Sequence, residues 1–357
     1  MRPGLLLALL LAALPAVAAP QPSAPAPLDG TLELTDVRLG DGETMPRLHL
    51  HYLTFGTAQR DGAGRIVNAV LLLHGTSGDA RSFLLPGFAD SMFGPGQPLD
   101  PARYFLVIPD GIGAGLSSKP SDGLGGRFPH YTYADQVELQ RRLLHEALGI
   151  DHLRLVLGTS MGGMQAWLWA ERFPHMMDAV VPMGAMPVAV SGRNMLWRAA
   201  VMQAIRDDPD WHDGAYDRGH PPTQWAHSAA IAFALMTGNA ERLQERAQTR
   251  DAAIVMAGDL LHRFEQMKPD DVLYALDSSA GYNPWPDLER IRARLLAINF
   301  ADDLVNPVEL GVMPPAMRRI AHGQFVLVPA PGGWGHQGLA HPELWGHYLA
   351  EFLAARP

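Results

Sequence analysis

Two residues stand out for the chemistry that their surroundings permit. They are Ser160, within Gly158-Thr159-Ser160-Met161-Gly162, and His336, within Pro331-Gly332-Gly333-Trp334-Gly335-His336-Gln337-Gly338. The first segment has the pattern G-x-S-x-G. A side chain at either glycine would obstruct the tight turn that lifts a serine hydroxyl clear of its backbone. A hydroxyl is a weak nucleophile until a base takes its proton, and an imidazole is the usual base. His336 sits in a glycine-rich loop after the last apolar run, from which it can reach towards Ser160. His322 precedes that run, at the wrong end of a sheet. His341 precedes Pro342 at a helix start, and His347 lies within the same helix.

An acid must orient the imidazole and stabilise it once protonated. In chain order it belongs between serine and histidine, which points to Asn299-Phe300-Ala301-Asp302-Asp303-Leu304-Val305-Asn306-Pro307. Two neighbouring aspartates compete. An Asp followed by any residue and then two apolar ones favours Asp302, with Leu304 and Val305 packing inward. Counting back from Pro307 favours Asp303, which would put polar Asn306 where an apolar residue is expected. Asp302 is the preferred reading and Asp303 the alternative.

The negative charge that develops on a carbonyl oxygen needs two backbone N–H donors. Met161, just after the nucleophile, supplies one. The loop His74-Gly75-Thr76-Ser77-Gly78, directly after Leu71-Leu72-Leu73, supplies the other, assigned to Thr76. Asp110-Gly111-Ile112-Gly113-Ala114-Gly115 also follows a strand pattern. Its glycines are spaced G-x-G-x-G with no helix after them, so it reads as a pocket-edge loop and not a dinucleotide site. His49-x-His51 shares one strand face and reads as a solvated pair, and there is no H-E-x-x-H, so no metal or cofactor is expected.

The elements that would position these residues follow from the apolar periodicity. Residues 31–39 and 47–55 alternate as a half-exposed antiparallel pair would. Short, nearly continuous apolar runs at 69–73, 104–108, 153–157, 179–183, 295–298 and 325–328 suit strands covered on both faces. Helical patterns lie at 133–148, after the Thr132-x-x-Asp135 capping spacing, at 162–173 and at 341–354. Alternating strands and helices imply a doubly wound, mostly parallel α/β sheet. With Ser, acid and His in that order and the serine between strand and helix, the expected architecture is the α/β-hydrolase fold over residues 28–357. From about 187 to 286 the pattern is helical with no buried strand, which reads as an inserted lid. Met195, Trp197, Met202 and Trp225 within it read as lid core at helical spacing, with a pocket lining as the alternative.

Composition removes several classes of function. A net charge of -9 argues against nucleic acid, whose phosphates need clustered Lys and Arg. The absence of Cys excludes a thiol nucleophile, a thiolate metal site and an iron–sulfur cluster. Residues 1–19 have a positive start, an apolar run from Leu5 to Ala13 and small residues at Ala16-Val17-Ala18, the pattern of a secretory signal peptide. The run falls short of the ~20 residues of a membrane span. No membrane span is expected after its removal, and the protein is expected to be periplasmic or secreted. The oligomeric state is left open, a dimer included.

The chain resembles the homoserine O-acetyltransferase family of α/β-hydrolase-fold proteins. The likeness is strongest at Gly158-Thr159-Ser160-Met161-Gly162-Gly163-Met164-Gln165, whose Met-Gly-Gly-Met-Gln continuation is more specific than the elbow alone. It recurs at His74-Gly75-Thr76-Ser77-Gly78-Asp79, at Phe128-Pro129 with Thr132 and Asp135, and at Leu148-Gly149-Ile150. In the helical stretch it recurs at Gln203-Ala204-Ile205, Asp208-Pro209-Asp210-Trp211 and Gly214-x-Tyr216. The resemblance implies a Ser–Asp–His triad and an acyl-enzyme. Two departures bear on the acyl acceptor. The family's Gly-Gly-Cys-type loop is replaced by Asp110 to Ser118, and its Gly-His-Asp by Gly335-His336-Gln337. With the leader, these favour an exported serine hydrolase acting on a small-molecule ester or related acyl compound. The alternatives are an acyl-CoA-dependent O-acyltransferase and a non-catalytic binding protein.

Overall fold

The computed structural model describes residues 26–40, 42–329 and 333–355. The leader expected over residues 1–19 lies outside them. Eight strands form one sheet: β1 (Leu28–Arg38), β2 (Thr44–Phe55), β3 (Ala69–Leu73), β4 (Phe105–Pro109), β5 (Leu155–Thr159), β6 (Ala179–Met183), β7 (Arg294–Phe300) and β8 (Gly323–Val328). Their order is β1-β2-β4-β3-β5-β6-β7-β8. β1 pairs antiparallel with β2 and β2 with β4, while every other neighbour is parallel. This is the mostly parallel α/β-hydrolase sheet, with its antiparallel start at one edge.

The helices are α1 (Pro86–Met92), α2 (Tyr133–Arg142), α3 (Met161–Arg172), α4 (Gly192–Arg206), α5 (Trp225–Thr237), α6 (Ala240–Arg246), α7 (Arg250–Glu265), α8 (Pro269–Asp277), α9 (Met313–Met317) and α10 (Pro342–Ala354). The two faces of the sheet explain the continuous apolar runs. In β3, Ala69, Leu71 and Leu73 join the core shared with α2 and α3, whereas Val70 and Leu72 join the core shared with α1 and α10. Side chains alternate along a strand, so a strand covered twice must be apolar at every position.

Thr132 opens α2 with the reciprocal cap anticipated: its Oγ1 accepts the Asp135 N–H, and Asp135 Oδ2 accepts the Thr132 N–H. Beyond Arg142 the helix loosens into a π turn over Leu143–Ala147 before Gly149. Between Met183 and Arg294 the described residues form α4 to α8 and no strand. These helices have their own apolar core, in which Met202, Ile205, Trp211 and Trp225 are buried. Among the described residues, no helix is long and apolar enough to cross a membrane.

α3 runs through the middle of the molecule and is buried along almost its whole length. Its contact with the sheet is close because its first turn carries glycines. A Cβ on Gly162 would stand 2.1 Å from the Leu73 carbonyl oxygen, and one on Gly158 would stand 1.9 Å from the Gly162 carbonyl oxygen. Both obstacles are backbone and cannot move aside. Gly162→Ala is therefore expected to lower unfolding free energy by about 3 kcal/mol, measured by urea denaturation.

Near the other end of α3, Glu171 is buried and its Oε2 has no hydrogen-bond partner among the described residues. Burial, reinforced by the negative charge of Asp287, pushes the Glu171 carboxyl from 4.5 up to about 7. Unfolded chains release this proton first, so between those values the folded state binds more protons and its stability falls as pH rises. Glu171→Gln removes the penalty. The variant's melting temperature is expected to exceed wild type clearly at pH 8 and by much less at pH 5.

Candidate active site

Ser160 occupies the single residue between the end of β5 and the start of α3. Its backbone lies at φ 55 and ψ -113, a region that residues with a side chain rarely occupy. The turn is held by the Ser160 N–H donating to the Met183 carbonyl, and by the Gly162 N–H donating to the His74 carbonyl, at 2.8 and 3.0 Å. The hydroxyl is thereby pushed out over the carboxyl end of the sheet, where β8 delivers His336 through the loop that follows it.

Ser160 Oγ lies 2.8 Å from His336 Nε2, and His336 Nδ1 lies 2.8 Å from Asp303 Oδ2. The acid at the imidazole is therefore Asp303 and not Asp302, which corrects the preference drawn from the apolar pattern. That pattern assumed that Leu304 packs inward, but Leu304 is 38% exposed while polar Asn306 is 3% exposed. Asn306 is buried because it is satisfied. Its Nδ2 donates to the Gly184 carbonyl and to Asp303 Oδ2, and its N–H donates to Asp303 Oδ1. Burial alone would raise the Asp303 carboxyl. Electrostatic attraction to the His336 imidazole and hydrogen bonds from His336, Asn306 and the Val305 N–H outweigh it and hold the group below the usual carboxylate range.

Asp302 has a different position. Its Oδ2 accepts the Gly335 N–H at 2.7 Å and the Asn239 side-chain amide at 2.8 Å. It grips the backbone beside His336, and Asp303 grips the imidazole itself. His322 is exposed. His341 makes no cap bond to α10; it pairs with Glu343, and it also borders the cavity in front of Ser160.

Thr76 and Ser160 line the same cavity, and Gly75 lies so near the serine that a Cβ on it would be 3.4 Å from Ser160 Cβ. Met161 is the first residue of α3, so its N–H is among those a helix leaves without an internal acceptor. The Thr76 loop is fixed from behind. His74 Nε2 accepts the Gly111 N–H at 2.9 Å, and His74 Nδ1 lies 2.8 Å from the Gly75 carbonyl oxygen. Burial lowers the His74 pKa, so it serves as a neutral bridge between the two loops.

The pair His49 and His51 departs from the expected solvated reading. His51 is buried, with Nδ1 2.8 Å from Asp110 Oδ2 and Nε2 3.0 Å from Asp29 Oδ1. Asp110 also accepts the Ala80 and Leu116 N–H groups. It thus ties the segment after β3 to the Asp110–Ser118 loop. A Cβ on Gly115, at φ 54, would strike the same carboxylate at 2.2 Å. Alternation along β2 fixed only the face on which His51 lies, and nothing local to it signalled the aspartate far away in sequence.

The cavity that opens on Ser160 encloses about 590 Å³. Phe83, Phe88 and Leu339 line it, and the helices inserted between β6 and β7 contribute Trp197, Arg198, Phe233 and Thr237. Trp197 thus borders the cavity, whereas Met202 and Trp225 belong to the core of the inserted helices. Arg198 escaped sequence reasoning because a lone arginine in a helical stretch carries no pattern. Among the described residues, no group of three His, Asp or Glu side chains is arranged to hold a metal ion.

Residues 68–267 match the family model for the alpha/beta hydrolase fold. The homoserine O-succinyltransferase of Magnetococcus marinus is 31% identical over 74% of this chain and 75% of its own. The homoserine O-acetyltransferase of Thermobifida fusca is 38% identical over 51% of each chain. The solved structure of an acetylester hydrolase from Corynebacterium glutamicum superposes with a TM-score of 0.80. It covers 92% of this chain and 96% of that one at 22% identity, a likeness of fold. By its sequence and its fold, this chain belongs to the homoserine O-acetyltransferase-like family of α/β-hydrolase enzymes.

Proposed function

We propose that this protein is a serine hydrolase that cleaves an ester or related acyl compound through an acyl-enzyme on Ser160. The observation that carries the reading is the unbroken line Ser160 Oγ–His336–Asp303, with both links at 2.8 Å. His336 Nε2 takes the hydroxyl proton as Oγ bonds to the substrate carbonyl carbon. The carbonyl oxygen becomes an anion between the N–H groups of Thr76 and Met161. Collapse breaks the ester bond, and the leaving alcohol takes the proton from His336. Water, deprotonated by the same imidazole, then releases the acid and frees Ser160. Asp303 stays ionised throughout and keeps the Nδ1 hydrogen towards itself.

A second reading has its own support. Relatives in the family are named as homoserine O-acyltransferases, and the inserted helices that wall the cavity would help an alcohol to replace water at the acyl-enzyme. Hydrolysis is favoured by Gln337, which follows His336 where the resemblance leads one to expect Asp. The leader pattern over residues 1–19 supports export to the periplasm or beyond, away from the cytoplasmic pool of acyl-CoA.

A fluorophosphonate probe is expected to label wild type and not Ser160→Ala, read by intact-protein mass; equal labelling would refute the nucleophile. Acetyl-CoA supplied with and without homoserine separates the two readings, because acetylation that needs the acceptor would overturn hydrolysis. Asp303→Asn is expected to lower kcat on p-nitrophenyl acetate about a thousandfold or more by stabilising the wrong imidazole tautomer. Asp302→Asn keeps an acceptor for the Gly335 N–H and is expected to cost less than about tenfold.

A further inference from the structure

The cavity in front of Ser160 has an uneven charge lining. Among the described residues no aspartate or glutamate borders it, yet Arg198 does; Asp79 and Asp271 line the adjoining cavity, which shares Thr76, Trp197 and Gln337 with it. Arg198 lies on α4 and is only 2% exposed. A guanidinium keeps its charge at any working pH, and a buried charge without a counter-ion is costly. Among the described residues no carboxylate pairs with it. Nε donates to Asn194 Oδ1 at 2.9 Å, and Nη1 donates to the Leu276 carbonyl at 3.4 Å.

Those two bonds aim the group and hold its plane. Roughly three of the five guanidinium N–H donors are left for something else. The neighbouring Trp197 indole, over which Arg198 lies at 5.3 Å, also borders the cavity; its Nε1–H is buried with no acceptor. The nearest acid in the catalytic line, Asp303, is engaged by His336, Asn306 and the Val305 N–H. Arg198 therefore brings positive charge and unused hydrogen-bond donors to this cavity, where among the described residues no carboxylate meets them.

We propose that Arg198 binds a carboxylate on the substrate, so that the compound cleaved is an ester carrying a negative charge. Resting on the acyl-enzyme reading above, the assignment makes Arg198 a specificity-determining residue. An anionic ester matches this lining. Because the bidentate fork suits a planar carboxylate, Lys is a poor replacement at this position.

The test compares isosteres that differ only in charge. Monoethyl glutarate is set against its carboxamide, and 4-acetoxybutanoate against 4-acetoxybutanamide, so that the anion is offered on the acyl and on the alcohol side. Acid release at constant pH gives kcat/KM. Wild type is expected to prefer the carboxylate about tenfold or more in at least one pair. In Arg198→Gln that ratio is expected to fall about tenfold or more, and Arg198→Lys should restore part of it. A purely structural role would depress both members of a pair alike and leave the ratio unchanged, which would overturn the proposal.

A readout independent of serine chemistry accompanies this. Glutarate, at matched ionic strength, is expected to raise the melting temperature of wild type by about 2 °C, and glutaramide is not. Equal shifts from both compounds, or equal kcat/KM within both pairs, would overturn the proposal even if Arg198→Gln does not fold. Failure of Ser160 to react with a fluorophosphonate, together with a shift specific to glutarate, would instead refute the acyl-enzyme and leave the carboxylate site standing.

Discussion

The molecule is organised around one tight turn. Between β5 and α3 the chain reverses within a single residue, with Ser160 at a positive φ and glycines where any side chain would meet backbone. Such a conformation persists only when its surroundings over-determine it. Here the Met183 and His74 carbonyls receive the flanking N–H groups, and the two faces of the sheet bury α3 on one side and α1 with α10 on the other. The central position of β5 is thus more than a topological fact. It puts the serine where loops from β3, β7 and β8 can all reach it.

The loops are braced in turn by groups remote from the reaction. The antiparallel edge formed by β1 and β2 supplies His51, which meets Asp110 beneath the segment that carries Thr76. His74, kept neutral by burial, closes the gap between the same two loops. The backbone donors near Ser160 therefore depend on polar contacts that run back to the first strand of the sheet.

Much of this was legible in the sequence, for identifiable reasons. Strands such as Ala69–Leu73 are apolar at every position because both faces are covered, and their short length between turn residues separates them from buried helices such as α3. Ser160 and His336 were legible because each is framed by glycines and placed by chain order. The acid was not, because Asp302 and Asp303 differ only in which way a turn points them. Leu304 turns out to face solvent while Asn306 is buried by its partners. His51 and Arg198 were missed for a related reason. Their roles are set by residues distant in sequence, Asp110 in one case and the mouth of a cavity in the other, and no periodicity records such meetings.

The neighbouring aspartates have a mechanical consequence. Asp303 holds the ring of His336, while Asp302 accepts the N–H of Gly335, the residue before it. Base and acid are thereby clamped to one two-residue segment by two separate grips, side chain to side chain and side chain to main chain. The imidazole and the main chain just before it are thus both tied to the segment that follows β7, so the base is positioned by two contacts from one short stretch.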